Sequence, residues 1–135
     1  MKSKQLRSFI LQGECDCVEF KEMPCDGMYK TICAFMNTRG GFVLVGVSDC
    51  GSIVGFKPSV RDLDEFQTTT RQWCSVCLKE EIVRIDSRSI WLITVPSSPI
   101  AISTKKMATW NGDAYIRLGS STQKTRNCLH LRMPK

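Results

Sequence analysis

Apolar and polar positions along this chain change period several times, and each change marks an element. Residues 1–12, with Leu6, Phe9, Ile10 and Leu11 as apolar positions, read as a short helix or an incoming arm. Cys17-Val18-Glu19-Phe20-Lys21 alternates with period two, the pattern of a half-buried strand, and Pro24 and Gly27 interrupt the chain after it. From Met28 the positions Ile32, Phe35 and Met36 recur at helical spacing. That helix should stop at Asn37-Thr38-Arg39-Gly40-Gly41, where two glycines permit positive φ. Phe42–Val47 is too continuously apolar for a one-sided strand and is placed centrally, covered on both faces. Ser48–Ser52 then reads as a hairpin turn, with Ile53–Phe56 as the returning strand.

Ser59 is positioned to cap a helix that carries Leu63, Phe66, Trp73 and Val76 and ends near Leu78. Strands are expected at Ile82–Asp86, Ser89–Val95 and Ala114–Leu118, with a turn at Ser87-Arg88 and a break at Pro96–Pro99. The order predicts an α+β fold: one lobe, a mixed β-sheet and two main helices. Residues 1–12 form an N-terminal arm, 13–124 the domain and 125–135 a basic C-terminal tail.

Composition narrows the class. A chain of 135 residues that is 42% hydrophobic suits one core rather than a two-domain enzyme. No apolar run approaches the roughly 20 residues of a bilayer span, and no apolar stretch comes after Met1-Lys-Ser-Lys as a secretory signal needs. The expectation is a cytoplasmic protein. The 8 cysteines are irregularly spaced and several lie in apolar contexts, so free buried thiols are expected instead of a disulfide frame. The charge of +6 is uneven: residues 101–135 carry 7 Lys/Arg against Asp113 alone, while the first 100 residues balance. Such a block attracts polyanions, or is simply a solvated tail.

Glu14 and Glu19 flank the first strand five positions apart, and Asp49 stands at the hairpin tip. An odd spacing sends the two glutamates to opposite faces of an ideal strand, so they meet only if Glu14 lies on a segment that turns back. Converging carboxylates would call for a divalent cation or basic groups; the alternative is three ordinary solvated acids. The Asn37–Gly41 loop comes after a helix and before a strand, the reverse of a phosphate-binding loop, and lacks the GK[ST] ending. Nucleotide hydrolysis is therefore rejected, and its glycines are given a structural role. Trp91 is expected in the core; Trp110, beside Lys105-Lys106, could stack on an unpaired base, with core packing the stronger expectation.

Three segments together carry a family resemblance: Gly13-Glu14 with Glu19-Phe20-Lys21, Ala34-Phe35 with Asn37-Thr38 and Gly40-Gly41 running into Gly46-Val47 and Asp49-x-Gly51, and Ala114-Tyr115-Ile116-Arg117 with Gly119-Ser120. In order and spacing the chain resembles the Schlafen AlbA_2 domain from about Gly13 to Thr122. The resemblance implies a metal-dependent endoribonuclease acting on structured RNA, tRNA-like or a small-RNA precursor as in piRNA trimming. It also implies Mg²⁺ or Mn²⁺ held by Glu14, Glu19 and Asp49. Lys21 would neutralise the scissile phosphate or pair with an acid. Lys105, Lys106, Arg117, Lys124 and Arg126 would meet the RNA backbone. Cys74, Cys77, Cys128 and His130 raise a structural Zn²⁺ as in Schlafen proteins, but the family's second ligand pair falls at Ser97-Ser98, and apolar packing is favoured. Animal Schlafen cores join two such lobes, so a partner lobe, a second copy or a related subunit, is expected. The alternative function is a non-catalytic nucleic-acid-binding or assembly subunit.

Overall fold

The computed structural model describes residues 1–74, 78–97 and 108–125. In chain order the elements are α1 (Ser3–Gln12), β1 (Val18–Lys21), α2 (Asp26–Met36), β2 (Gly41–Val45), α3 (Val60–Cys74), β3 (Lys79–Ile85), β4 (Arg88–Val95), β5 (Thr109–Trp110), β6 (Asp113–Leu118) and β7 (Ser121–Thr125). The main sheet has the order β1-β2-β4-β3, with β1 parallel to β2 and the other neighbours antiparallel. A second antiparallel sheet, β5-β6-β7, packs on α2. The fold is α+β, with three helices, a mixed four-stranded sheet and a small sheet.

Both faces of the main sheet are covered, as the unbroken apolar run of β2 requires. Val43 and Val45 point to α2 and α3, packing with Met28, Ile32, Phe35 and Phe66, while Leu44 points the other way to Leu6 and Ile10 of α1. Residues 3–12 are thus a helix whose i, i+4 apolar pair closes one layer. Trp91 is buried, and its indole N–H donates to Glu80 Oε1 at 2.8 Å. Ser59 caps α3 reciprocally: Asp62 Oδ2 accepts from the Ser59 amide at 2.8 Å, and Ser59 Oγ accepts from the Asp62 amide at 3.1 Å.

The motif after α2 is a joint between the two sheets. Asn37 Nδ2 donates to the carbonyls of Ala108 and Tyr115, both at 2.9 Å, and its Oδ1 accepts from the Ala108 amide at 2.7 Å. Gly40 has φ of 77°, and a Cβ there would sit 2.6 Å from the Val95 carbonyl oxygen. The glycine serves entry into the central strand, as expected.

Two expectations need revision, the strand at Ile53–Phe56 and the set of later strands. Ile53–Phe56 forms no strand: only Val47 and Ile53 bridge, because Gly46 (φ of 116°) and Gly55 (φ of 83°) bend the chain and the Phe56 amide turns to the Ser89 carbonyl. Of the two readings of residues 1–12, the short helix is the one observed, which makes three helices among the described residues. Strands β5 and β7 add to the expected set, and β3 starts at Lys79, three residues before the alternation suggests. Val76 lies outside the described residues.

Gly40→Ala should destabilise the chain by about 2 kcal/mol or more, since a strained φ alone costs roughly 1–3 kcal/mol and backbone, not a yielding side chain, blocks the Cβ. Urea unfolding of the variant against wild type checks this; a change under about 0.5 kcal/mol, the scale of neutral surface substitutions, would refute it.

Candidate nucleic-acid interface

The site is built where α1 hands over to β1. Gly13 ends α1 with φ of 86°, and the chain turns back so that the Cys15 and Val18 backbones exchange hydrogen bonds of 3.1 and 3.4 Å. That return solves the odd spacing of the two glutamates. Glu14 lies ahead of the strand, and its Oε2 accepts from the Phe20 amide at 2.8 Å. Glu19 sits within β1, buried on the side of α2 and β6.

Arg117 of β6 closes the arrangement. Its Nη1 donates to Glu19 Oε1 at 2.6 Å and to Thr122 Oγ1 at 2.9 Å; Nη2 donates to the carbonyls of Cys15 and Val18, both at 3.0 Å; Nε donates to the Cys15 carbonyl at 3.3 Å. All five guanidinium N–H groups are thereby used, and the plane lies 5.1 Å from the centre of the Phe35 ring. Lys21 Nζ stands 3.4 Å from the other oxygen of Glu19.

Burial pushes the Glu14 carboxyl above its ordinary range, against the Phe20 amide hydrogen bond, which lowers it; the Glu19 charge and hydrogen bond raise it further, and Arg117 lowers it. The two glutamates therefore share one environment. Burial likewise raises the Cys17 thiol, helped by Cys15.

Beside Glu19 a groove of about 520 Å³ opens between the first turns of α2 and the β6–β7 hairpin. Its walls carry Lys21, Lys30 and Lys124, the hydroxyls of Thr31, Ser120, Ser121 and Thr122, and the Tyr115 ring. Lys30 Nζ lies 5.8 Å from the centre of that ring. Thr31 and Thr122 hydroxyls meet at 2.8 Å and tie α2 to β7. Lys124 is exposed, 3.5 Å from Asp113. Glu19 is the single carboxylate among the lining residues, and Arg117 neutralises it from behind.

The sequence-derived candidates divide accordingly. Glu14, Glu19 and Lys21 come together, and Lys124 lines the same groove. Asp49 is exposed on the turn after β2 and joins no close trio with the glutamates: among the described residues the one His/Cys/Asp/Glu group with ligand atoms within 4.8 Å of each other is Cys15, Asp16 and Cys17. Both oxygens of Glu19 already face cations, so the three-carboxylate cage for Mg²⁺ or Mn²⁺ does not fit the residues as they stand. Arg117, expected on the RNA backbone, is instead buried, because its donors satisfy groups within the chain. Lys105, Lys106 and Arg126, and the zinc candidates Cys77, Cys128 and His130, lie outside the described residues. Trp110 stacks on Tyr29 at 4.8 Å and meets Trp73 edge-on at 5.4 Å, the core role expected for it. Sequence reasoning misses Lys30 and the hairpin hydroxyls; the Gly119-Ser120-Ser121-Thr122 run is their available signal.

The Schlafen, AlbA_2 family description matches residues 14–126, and the chain belongs to that family. No curated protein gives a match. Among solved structures, the DIP2311 protein of Corynebacterium diphtheriae is 18% identical, with a TM-score of 0.67 over 90% of this chain; the chain spans 29% of that protein. The N-terminal domain of a Nitrosomonas europaea protein described as related to RecG, an ATP-dependent DNA helicase, is also 18% identical, with a TM-score of 0.59, covering 91% of this chain and 92% of that one. These likenesses establish the fold. Among the described residues no helix is long and apolar enough to cross a membrane.

Arg117→Met leaves Glu19 buried without its partner and should cost about 3–5 kcal/mol in urea unfolding, whereas adding Glu19→Gln should restore part of the loss. An equal loss in the double variant would dismiss the coupling. Because the folded Glu14 pKa is raised above 4.5, the folded chain holds a proton that the unfolded chain has lost, so stability falls as pH rises from 4.5 through the folded value. Glu14→Gln keeps an acceptor for the Phe20 amide and should flatten that decline relative to wild type, read from urea unfolding across that pH range.

Proposed function

We propose that this chain binds RNA, seating the phosphate backbone in the groove between α2 and the β6–β7 hairpin. The observation that carries the reading is the convergence of Lys21, Lys30 and Lys124 with four hydroxyls around one neutralised carboxylate. Lysines supply the sequence-independent attraction, and hydroxyls donate to phosphate and sugar oxygens. The groove is open, so it takes a backbone rather than enclosing a small ligand. Family membership supports a nucleic-acid role, and the name of the RecG-related neighbour is consistent with one. The RNA class the Schlafen resemblance implies is a folded one, tRNA or a small-RNA precursor, and a second lobe, from another copy or a related subunit, would extend the contact.

One observation favours a second reading, metal-dependent endoribonuclease. The return of the chain after Gly13 folds Glu14 back onto β1, where its Oε2 accepts from the amide of Phe20, the residue next to Glu19, at 2.8 Å. That chemistry would require Asp49 to close on the pair and Mg²⁺ or Mn²⁺ to displace Lys21 from Glu19. Cleavage of labelled tRNA by wild type in Mn²⁺, lost in EDTA and in Glu14→Gln, is the expected sign; equal cleavage by both proteins would reject it.

For binding, Lys30→Ala with Lys124→Ala should weaken affinity for a labelled RNA hairpin. The slope of log K against log salt should fall by about 0.7–0.9 for each phosphate contact removed. An unchanged slope would place the RNA elsewhere.

A further inference from the structure

We propose that Cys15, Asp16 and Cys17 form a binding site for one soft divalent cation of the zinc class. The two Sγ atoms lie 3.5 Å apart on the return between α1 and β1, both half-buried, and the three ligand atoms fall within 4.8 Å of one another. An ion about 2.3 Å from each sulfur would see them at an angle of about 99°, near the tetrahedral value, so neither thiol has to travel to receive it. A disulfide would need the sulfurs to close to about 2.05 Å, further from where they stand.

Asp16 supplies the third ligand. Arg39 Nη1 donates to Asp16 Oδ2 at 2.8 Å, which orients the carboxylate beside the two thiols. Three protein ligands leave a fourth position for water or an incoming group. Thiolates select zinc-class ions over Mg²⁺ and Mn²⁺, which separates this site chemically from the neighbouring pair Glu14 and Glu19. The return that bears the thiols also presents the Cys15 carbonyl to Arg117, so the ion would brace the loop that carries Glu14. Binding replaces the two thiol protons by the ion and releases both to solvent, with no electron transferred. The site is independent of the RNA-binding reading.

Anaerobic titration of the reduced full chain with Co²⁺ and then Cd²⁺ tests it. The expected result is a thiolate-to-metal charge-transfer band that reaches its end point at one ion, with about two protons released per ion at neutral pH. Cys15→Ser and Cys17→Ser should each abolish that band or weaken binding more than about 100-fold, beyond the 10–100-fold that losing an orienting partner costs. Cys25→Ser and Cys50→Ser, at exposed positions, should leave it unchanged. In wild type the bound ion should also shield Cys15 and Cys17 from alkylation, read by peptide mass, which keeps the test valid if a serine variant folds poorly. A band that persists in both serine variants, or alkylation of the pair unaffected by Cd²⁺, would overturn the proposal. RNA binding unaltered by any of these outcomes keeps the two readings separate.

Discussion

A buried arginine with every donor used is the constraint that shapes the functional end of this lobe. Arg117 leaves β6, crosses to β1 and engages Glu19, two main-chain carbonyls and Thr122, with Phe35 beneath its plane. Such a pair adds little net stability over a well-packed apolar substitute, yet losing either member leaves a charge stranded in the interior. Its effect is geometric. The small sheet is tied to β1, and the lysine groove between α2 and the β6–β7 hairpin opens beside that tie.

Asn37 makes the complementary joint at the other end of α2. Its amide acts like a piece of strand backbone, accepting from one residue of the small sheet's approach and donating to two carbonyls. The helix is therefore pinned to the same sheet by Asn37 at its C-terminal end and by Thr31 in its middle. Both residues are polar and buried or half-buried, and both are satisfied, as interior polar groups must be.

Much of this is legible in the residues. The period-two run of β1, the helical spacing of Ile32, Phe35 and Met36, and the continuous apolar run of β2 place three elements and the face of each. The misplaced elements share a cause. The bridge at Ile53 and the polar strand β7 depend on tertiary pairing and positive-φ glycines, which periodicity does not record. The burial of Arg117 escapes the sequence for a related reason: a charge count weighs every arginine alike, whereas burial depends on whether acceptors await it. The glutamate pair is legible only conditionally, because its odd spacing requires a reversal of the chain that Gly13 and the Cys15–Val18 turn supply.

That reversal bears on how two lobes could meet. β1 is the outermost strand of its sheet, yet the Phe20 amide is taken by Glu14, and the Val18 carbonyl by Cys15 and Arg117. The rim that would template a foreign strand is already occupied by side chains and a folded-back loop, a common protection against indiscriminate edge pairing. At the opposite rim, the exposed side chains of β3 are Lys79, Ile82 and Arg84. A second lobe arriving beside the groove would therefore have to dock through side-chain complementarity rather than by extending the sheet. Recognition between lobes would then rest on the identity of residues at that face, a more selective criterion than backbone hydrogen bonding.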